Sequence, residues 1–206
     1  MDQPLTAAAI RSAFGGTADL AAHDLALDGA DATLFFLDGL TSSANIADLI
    51  LRPARENLRG TAAEMLRDCL TGAVCAAVAK EAPDLDTACS LLVNGFAVLV
   101  IQGADRAVAF EAKSGEKRTP SPPSVEHTVQ GAKDAFTETN RSNTNLLRRH
   151  LRSPLLRFRE FPVGSKSHTN VTVVWLEGTT PPHLVRRLER RLRGLTVESF
   201  VTPAAV

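Results

Sequence analysis

The chain is poor in cysteine, has no long apolar run and carries no catalytic signature. Its cysteines, Cys69, Cys75 and Cys89, are odd in number and make no C-x-x-C pair. This argues against a disulfide framework or a structural zinc site and leaves small, reduced core residues. The longest strongly apolar run, Phe96–Ile101, falls far short of the roughly 18–20 residues that a membrane-spanning helix needs. No basic-then-apolar stretch opens the chain, so the expectation is that these 206 residues behave as a soluble piece. A Gly-rich phosphate loop, a G-x-S-x-G elbow and an H-E-x-x-H helix are missing. The five histidines, at 23, 127, 150, 168 and 183, are scattered without metal-ligand spacing. No catalytic residue, metal ligand or cofactor is expected.

What is present is a 44% apolar composition, enough to bury a core. The zero net charge conceals an asymmetry. Met1–Asn140 carries 11 Lys+Arg against 19 Asp+Glu, and Arg141–Leu195 carries 12 against 3, so the two parts stand at about −8 and +9. Such halves attract each other or present solvated faces. A basic surface meeting anionic lipid headgroups or an acidic partner ranks next, and nucleic acid last.

Gly, Pro, Ser and charge gather in AKSGEKRTPSPPS, placing a linker at residues 113–124 between an N-terminal α/β subdomain, 1–112, and a second unit, 125–206. In the first, Ala32–Leu37 reads as a buried strand, with helical periodicity over 44–56, 62–80 and 85–92. Strands at Phe96–Ile101 and Arg106–Phe110 then join through a turn containing Gly103. Residues 1–30 show only one amphipathic turn, around Ile10–Phe14. In the second unit a strand at Glu126–Gln130 precedes a helix over Ala132–Leu151, which Pro154 stops. A hairpin of Leu156–Val163 and Thr169–Leu176 follows. A helix opened by Thr180 and Pro181 then carries a Leu184, Val185, Leu188, Leu192, Leu195 stripe and five arginines outside it, with a last strand at 196–201. The order βαββαβ predicts an α/β (α+β) chain whose second subdomain is a ferredoxin-like unit, its two helices on one face of the hairpin.

The helix over 132–151 is unusual in its polarity. Phe136, Leu147 and Leu151 define an apolar arc, and Thr139, Asn140, Asn143 and His150 fall inside it. A buried amide or hydroxyl without a partner costs roughly 1–3 kcal/mol. The stripe therefore predicts a hydrogen-bonding network or a wet interface, with Asn143 the most buried member and Asn143→Leu destabilising. Glu138 lies about three turns from Arg148 and Arg149, too far to pair with them. Each must find partners elsewhere, in a subdomain or subunit interface or in a small-ligand pocket. The Arg-rich last helix and the βαββαβ order also raise a cytosolic ferredoxin-like RNA-binding module as an alternative. The strands offer Phe158, Phe161 and Trp175 but no RNA-recognition motif, so nucleic acid is not expected.

Several segments, in order, carry a resemblance. These are Asp19-Leu20; Leu34-Phe35-Phe36-Leu37-Asp38-Gly39-Leu40; Asn94-Gly95 to Ile101; and Pro123 with Glu126. Gly131, Phe136-Thr137-Glu138, Asn143, Leu146-Leu147-Arg148-Arg149 and Leu151-Arg152-Ser153-Pro154 follow, then Val163-Gly164 with Thr169, and Trp175-Leu176-Glu177-Gly178. Together they resemble the GerA spore-germination family, the A subunits of germinant receptors, over about residues 15–195. Gln130 and Ala132 stand where that family usually has Arg and Pro, and His150 where Arg is common. The resemblance implies the N-terminal soluble domain of such a subunit, with no enzymatic chemistry. It implies a part in nutrient sensing, receptor assembly or gating of ion release, with other receptor subunits as partners and possible homo-oligomers. It also implies a place at the cytoplasmic face of the inner spore membrane, reached through a segment absent from this chain. Thr169 joins Glu138, Asn140, Asn143, Arg148 and Arg149 as ligand or interface candidates.

Overall fold

A computed structural model describes residues 4–74, 78–113 and 135–198. Five strands form one antiparallel sheet in the spatial order β1 (Leu20–Ala26), β2 (Asp31–Leu37), β4 (Phe96–Ile101), β5 (Ala107–Glu111) and β3 (Ala79–Ala82). The central strands read as continuous apolar runs because helices cover both faces of the sheet, and every residue of β4 is buried. On one face α1 (Ala7–Phe14) and α5 (Leu85–Val93) pack Phe14 and Leu92 against Phe35 and Val98. On the other, α2 (Ser43–Ile46), α3 (Arg52–Asn57) and α4 (Ala62–Leu70) enclose Leu99 and Phe110 with Ile50 and Met65.

The helix ends follow local chemistry. Thr61 and Glu64 form a reciprocal capping box at the start of α4, and Asp84 accepts from the Thr87 amide, 2.7 Å, to open α5. Between α2 and α3 the chain widens into a π-helical turn over Ala47–Leu51, where the Arg52 amide reaches back to the Ala47 carbonyl. Pro53 stands just beyond. It has no amide to donate and would clash with the carbonyl four residues back in a regular helix, which the wider turn avoids.

Residues 1–30, which sequence alone leaves nearly blank, contain α1 and the edge strand β1. The helix predicted over 62–80 ends at Leu70. Gly72 turns left-handed at φ +95°, and Ala79–Ala82 instead pairs with Ala107–Phe110 as the opposite edge strand. Apolar spacing alone does not separate a short edge strand from a continuing helix.

The second unit holds α6 (Asn140–His150), the hairpin β6 (Leu156–Val163) and β7 (Thr169–Leu176), and α7 (Pro182–Arg193). The hairpin pairs antiparallel from Leu156↔Leu176 to Val163↔Thr169, as predicted. Its helices do not share a face. Residues two apart on a strand, and direct cross-strand partners, lie on one side. Phe161, Val163, Val171 and Val173 pack with Leu192 of α7, whereas Asn140 and Arg148 of α6 reach Thr172 and the Phe158 ring on the opposite side. The hairpin is thus sandwiched between helices, unlike the expected ferredoxin-like arrangement. The strand expected at 126–130 lies outside the described residues, as does 199–201. Residues 196–198 are not a strand, although the Val197 and Glu198 carbonyls accept from the amides of Ser165, Lys166 and Ser167 in the hairpin turn.

Cys69 and Cys89 are buried, and burial pushes their thiols up to about 12 and about 11. Both stay protonated and inert near neutral pH. In Cys75→Ser protein, alkylation at pH 8 followed by peptide mass mapping should leave both unmodified in the folded state and label both in urea.

Candidate functional site

The second unit meets the first through α6, and the centre of that junction is Arg148. Its side chain is 1% exposed. Nε and Nη2 donate to the two carboxylate oxygens of Asp19, both at 2.9 Å, just before β1. Nη1 and Nη2 also donate to the carbonyls of Ser153, 2.7 Å, and Leu156, 3.0 Å, and the guanidinium lies 4.8 Å from the centre of the Phe158 ring. Burial pulls Arg148 below its ordinary pKa, and the charge and hydrogen bonds of Asp19 oppose that pull. Planar, forked donors suit this role because one side chain binds a carboxylate bidentately and two carbonyls at once.

Asp19 extends the network. Its Oδ1 accepts from the Thr17 hydroxyl, 2.7 Å, and that hydroxyl oxygen accepts from the Phe158 amide, 2.9 Å. The Ala18 amide donates to the Phe158 carbonyl at 2.8 Å. Residues 17–18 therefore strap the edge of β6 to the first unit. Arg157, also buried, donates to the carbonyls of Pro154, 2.7 Å, and Ala13, 3.1 Å. It lies directly against Gly15, the left-handed C-cap of α1 at φ +54°.

The remaining contacts run along one face of α6. Arg141 pairs with Asp38, Asn145 lies against Gly39, and Arg152, just past the helix, donates to Asn94 at 3.0 Å. Gly39, at φ +86°, has no room for a Cβ beside Asn145. Positions 141, 145, 148 and 152 follow i, i+4, i+7, i+11 spacing, a continuous helical stripe. At one rim a groove of about 190 Å³ is lined by Leu40, Val93, Asn94, Lys113, Arg149 and Arg152.

The polar face of α6 that meets the first unit is Arg141, Asn145, Arg148 and Arg152, none of them in the arc of Thr139, Asn140, Asn143 and His150 expected from sequence. Residues 135–139 precede the helix, Phe136 is 64% exposed, and Leu151 is exposed too, so they supply no apolar arc. Asn143 is half-buried. Its amide group pairs with the Thr137 amide, 2.7 Å, and carbonyl, 2.8 Å, folding the preceding loop onto its own helix rather than meeting another strand or subdomain. Thr139 and His150 are exposed, as is Glu138. Asn140 donates to the Thr172 hydroxyl at 2.6 Å and holds α6 to the hairpin. Arg149 faces the rim groove. Thr169 opens β7 beside the hairpin turn, where it donates to the Ser167 hydroxyl at 3.1 Å, away from α6. The six candidates therefore do not converge on one pocket.

Among the described residues no cluster of His, Cys, Asp and Glu could hold a metal ion. No helix among them is long and apolar enough to cross a membrane. The aromatics on which an RNA-binding reading depends are covered. Phe158 lies beneath Arg148 and Phe161 beneath α7, and Arg159 stacks on the half-buried Trp175, so these three form no open stacking platform.

Residues 8–206 match the Bacillus/Clostridium GerA spore germination protein family, and the chain belongs to it. It is 28% identical to spore germination protein GerLA of Bacillus cereus, over 92% of this chain and 39% of that protein. It is also 28% identical to stage V sporulation protein AF of Bacillus subtilis, over 92% of this chain and 38% of that protein. The chain thus spans about two fifths of the length of these curated relatives. Its fold matches the crystal structure of the N-terminal domain of the A subunit of the Bacillus megaterium spore germinant receptor GerK3. The TM-score is 0.72 at 18% identity, covering 95% of this chain and 75% of that one.

Removing one partner of a buried ion pair leaves the other charge uncompensated, at about 3–5 kcal/mol. Arg148→Met should therefore lower stability in urea by that order, with Arg148→Lys in between and Asp19→Leu/Arg148→Met recovering part of the loss. Asn143→Leu should cost about 1 kcal/mol or less, because water can replace its exposed partners at Thr137.

Proposed function

We propose that this chain is the extramembrane N-terminal domain of a spore-germinant receptor A subunit and that it carries a nutrient signal between receptor subunits by shifting α6 and the hairpin against the five-stranded sheet. Its division into an N-terminal subdomain, a linker and a second subdomain belongs to the same proposal. So do its partners, the other receptor subunits, and its attachment to the inner spore membrane through a segment beyond this chain. The observation that carries the reading is the construction of the junction. One buried ion pair fixes the pivot, and the flanking contacts Arg141–Asp38 and Arg152–Asn94 are exposed and polar. Wet polar contacts exchange for water at small net cost, so an alternative packing lies within a few kcal/mol.

The rim separates relay from mere folding. Arg141 and Asp38 are 60% and 40% exposed, and exposed pairs contribute at most about 1 kcal/mol to stability. In spores carrying the intact receptor, Arg141→Glu/Arg152→Glu should leave receptor levels unchanged by immunoblot while shifting the nutrient concentration for half-maximal germination about five- to thirtyfold, the range of a modest coupling energy. The Arg141→Asp/Asp38→Arg exchange should restore most of what Arg141→Asp alone removes. A normal dose response in both reversed receptors would remove the relay and leave the junction a static support.

A further inference from the structure

Helix α7 is attached by very little of its surface. Leu192 is its one buried side chain, Glu189 pairs with Arg159 of the hairpin, and Arg193 lies 5.6 Å from the centre of the Phe161 ring. Val185 is half-buried, and the other residues of the helix face outward. Arg186, Arg187, Arg190 and Arg191 are exposed and have no carboxylate or ring partner among the described residues. Leu184 and Leu188 are 46% and 41% exposed. Leu184, Arg187, Leu188 and Arg191 stand at i, i+3, i+4 and i+7, so leucines and arginines alternate along one flank. Four clustered cations and two exposed leucines do not by themselves stabilise the fold.

We propose that this flank of α7 docks on an anionic lipid surface, with the arginines on headgroup phosphates and Leu184 and Leu188 in the headgroup–acyl boundary. Charge complementarity argues for a dense anionic array, since Arg186, Arg187, Arg190 and Arg191 lie within two turns of one helix whose single carboxylate, Glu189, is taken by Arg159. The acidic half of a second copy is a poorer match. Asp24, Asp28 and Asp48 are each already held by an arginine of their own chain. Nucleic acid would satisfy the arginines but leave the leucines in water, whereas a membrane interface takes both from one helix flank. The inference rests on α7 alone and is independent of the relay through α6.

The test is co-sedimentation of the 206-residue chain with vesicles of phosphatidylcholine, alone or mixed with an equal part of phosphatidylglycerol. Binding should require phosphatidylglycerol and weaken with salt. Arg187→Glu/Arg191→Glu should reduce the partition coefficient about thirtyfold or more, because each basic residue near such a surface contributes a few-fold in binding. Leu184→Ser/Leu188→Ser should reduce it at both low and high salt, while circular dichroism stays unchanged for both exposed pairs. Absence of binding to the mixed vesicles would overturn the proposal, and so would binding indifferent to the arginine reversal. Indifference to the leucine pair, with equal retention on a heparin column, would reassign the surface to a polyanion. Self-association dissolved by salt, without vesicle binding, would reassign it to a second copy.

Discussion

The Arg148–Asp19 pair is the constraint on which the junction depends. A guanidinium almost wholly removed from water is tolerable only if its donors are matched, and here the carboxylate and two carbonyls match them. Meeting that demand fixes several other features together. The turn after α6 must present the Ser153 carbonyl, β6 must start beside it at Leu156, and the segment before β1 must bring Asp19 to the same place. The geometry leaves little freedom in how the hairpin is set on the sheet. An apolar contact of similar area would be non-directional and would tolerate sliding.

The contacts around this centre have a different character. Those at Asp38, Asn94 and Gly39 are exposed or involve backbone without side-chain bulk. A directional buried core holds the two units together, while the wet rim can exchange its contacts for water at small cost. Under the proposed relay, that combination suits a part that stays assembled while its rim contacts exchange.

The first sheet was largely legible in the residues. β2, α5 and β4 follow continuous apolar runs or clear amphipathic spacing, and the hairpin follows a partial alternation around a glycine-containing turn. Edge strands were harder to read. β1 and β3 are short and partly exposed, and their apolar content does not distinguish strand from helix or loop. The polar helix misled for a physical reason. Wheel arguments assume that apolar residues face inward, and in α6 the one buried side chain is an arginine. Its partner Asp19 lies 129 residues away, and no local pattern records such a pairing. The i, i+4, i+7, i+11 run of Arg141, Asn145, Arg148 and Arg152 lies on the side of the wheel opposite the apolar arc, where sequence places solvent. Only the positions of Asp38, Gly39 and Asn94 show that it faces protein. Likewise, alternation in β6 and β7 told which residues share a side but not which helix covers it.

The strap formed by Thr17 and Ala18 on Phe158 joins points 141 residues apart along the chain. Contacts of such sequence separation form late, since a long loop must close before they repay its entropy. During synthesis all five strands of the sheet leave the ribosome before Arg148 and Phe158 do. For that interval the carboxylate of Asp19 and the hydroxyl of Thr17 are without their partners in the second unit. What the strap later covers at this point is polar rather than apolar, which disfavours wrong association of the growing chain.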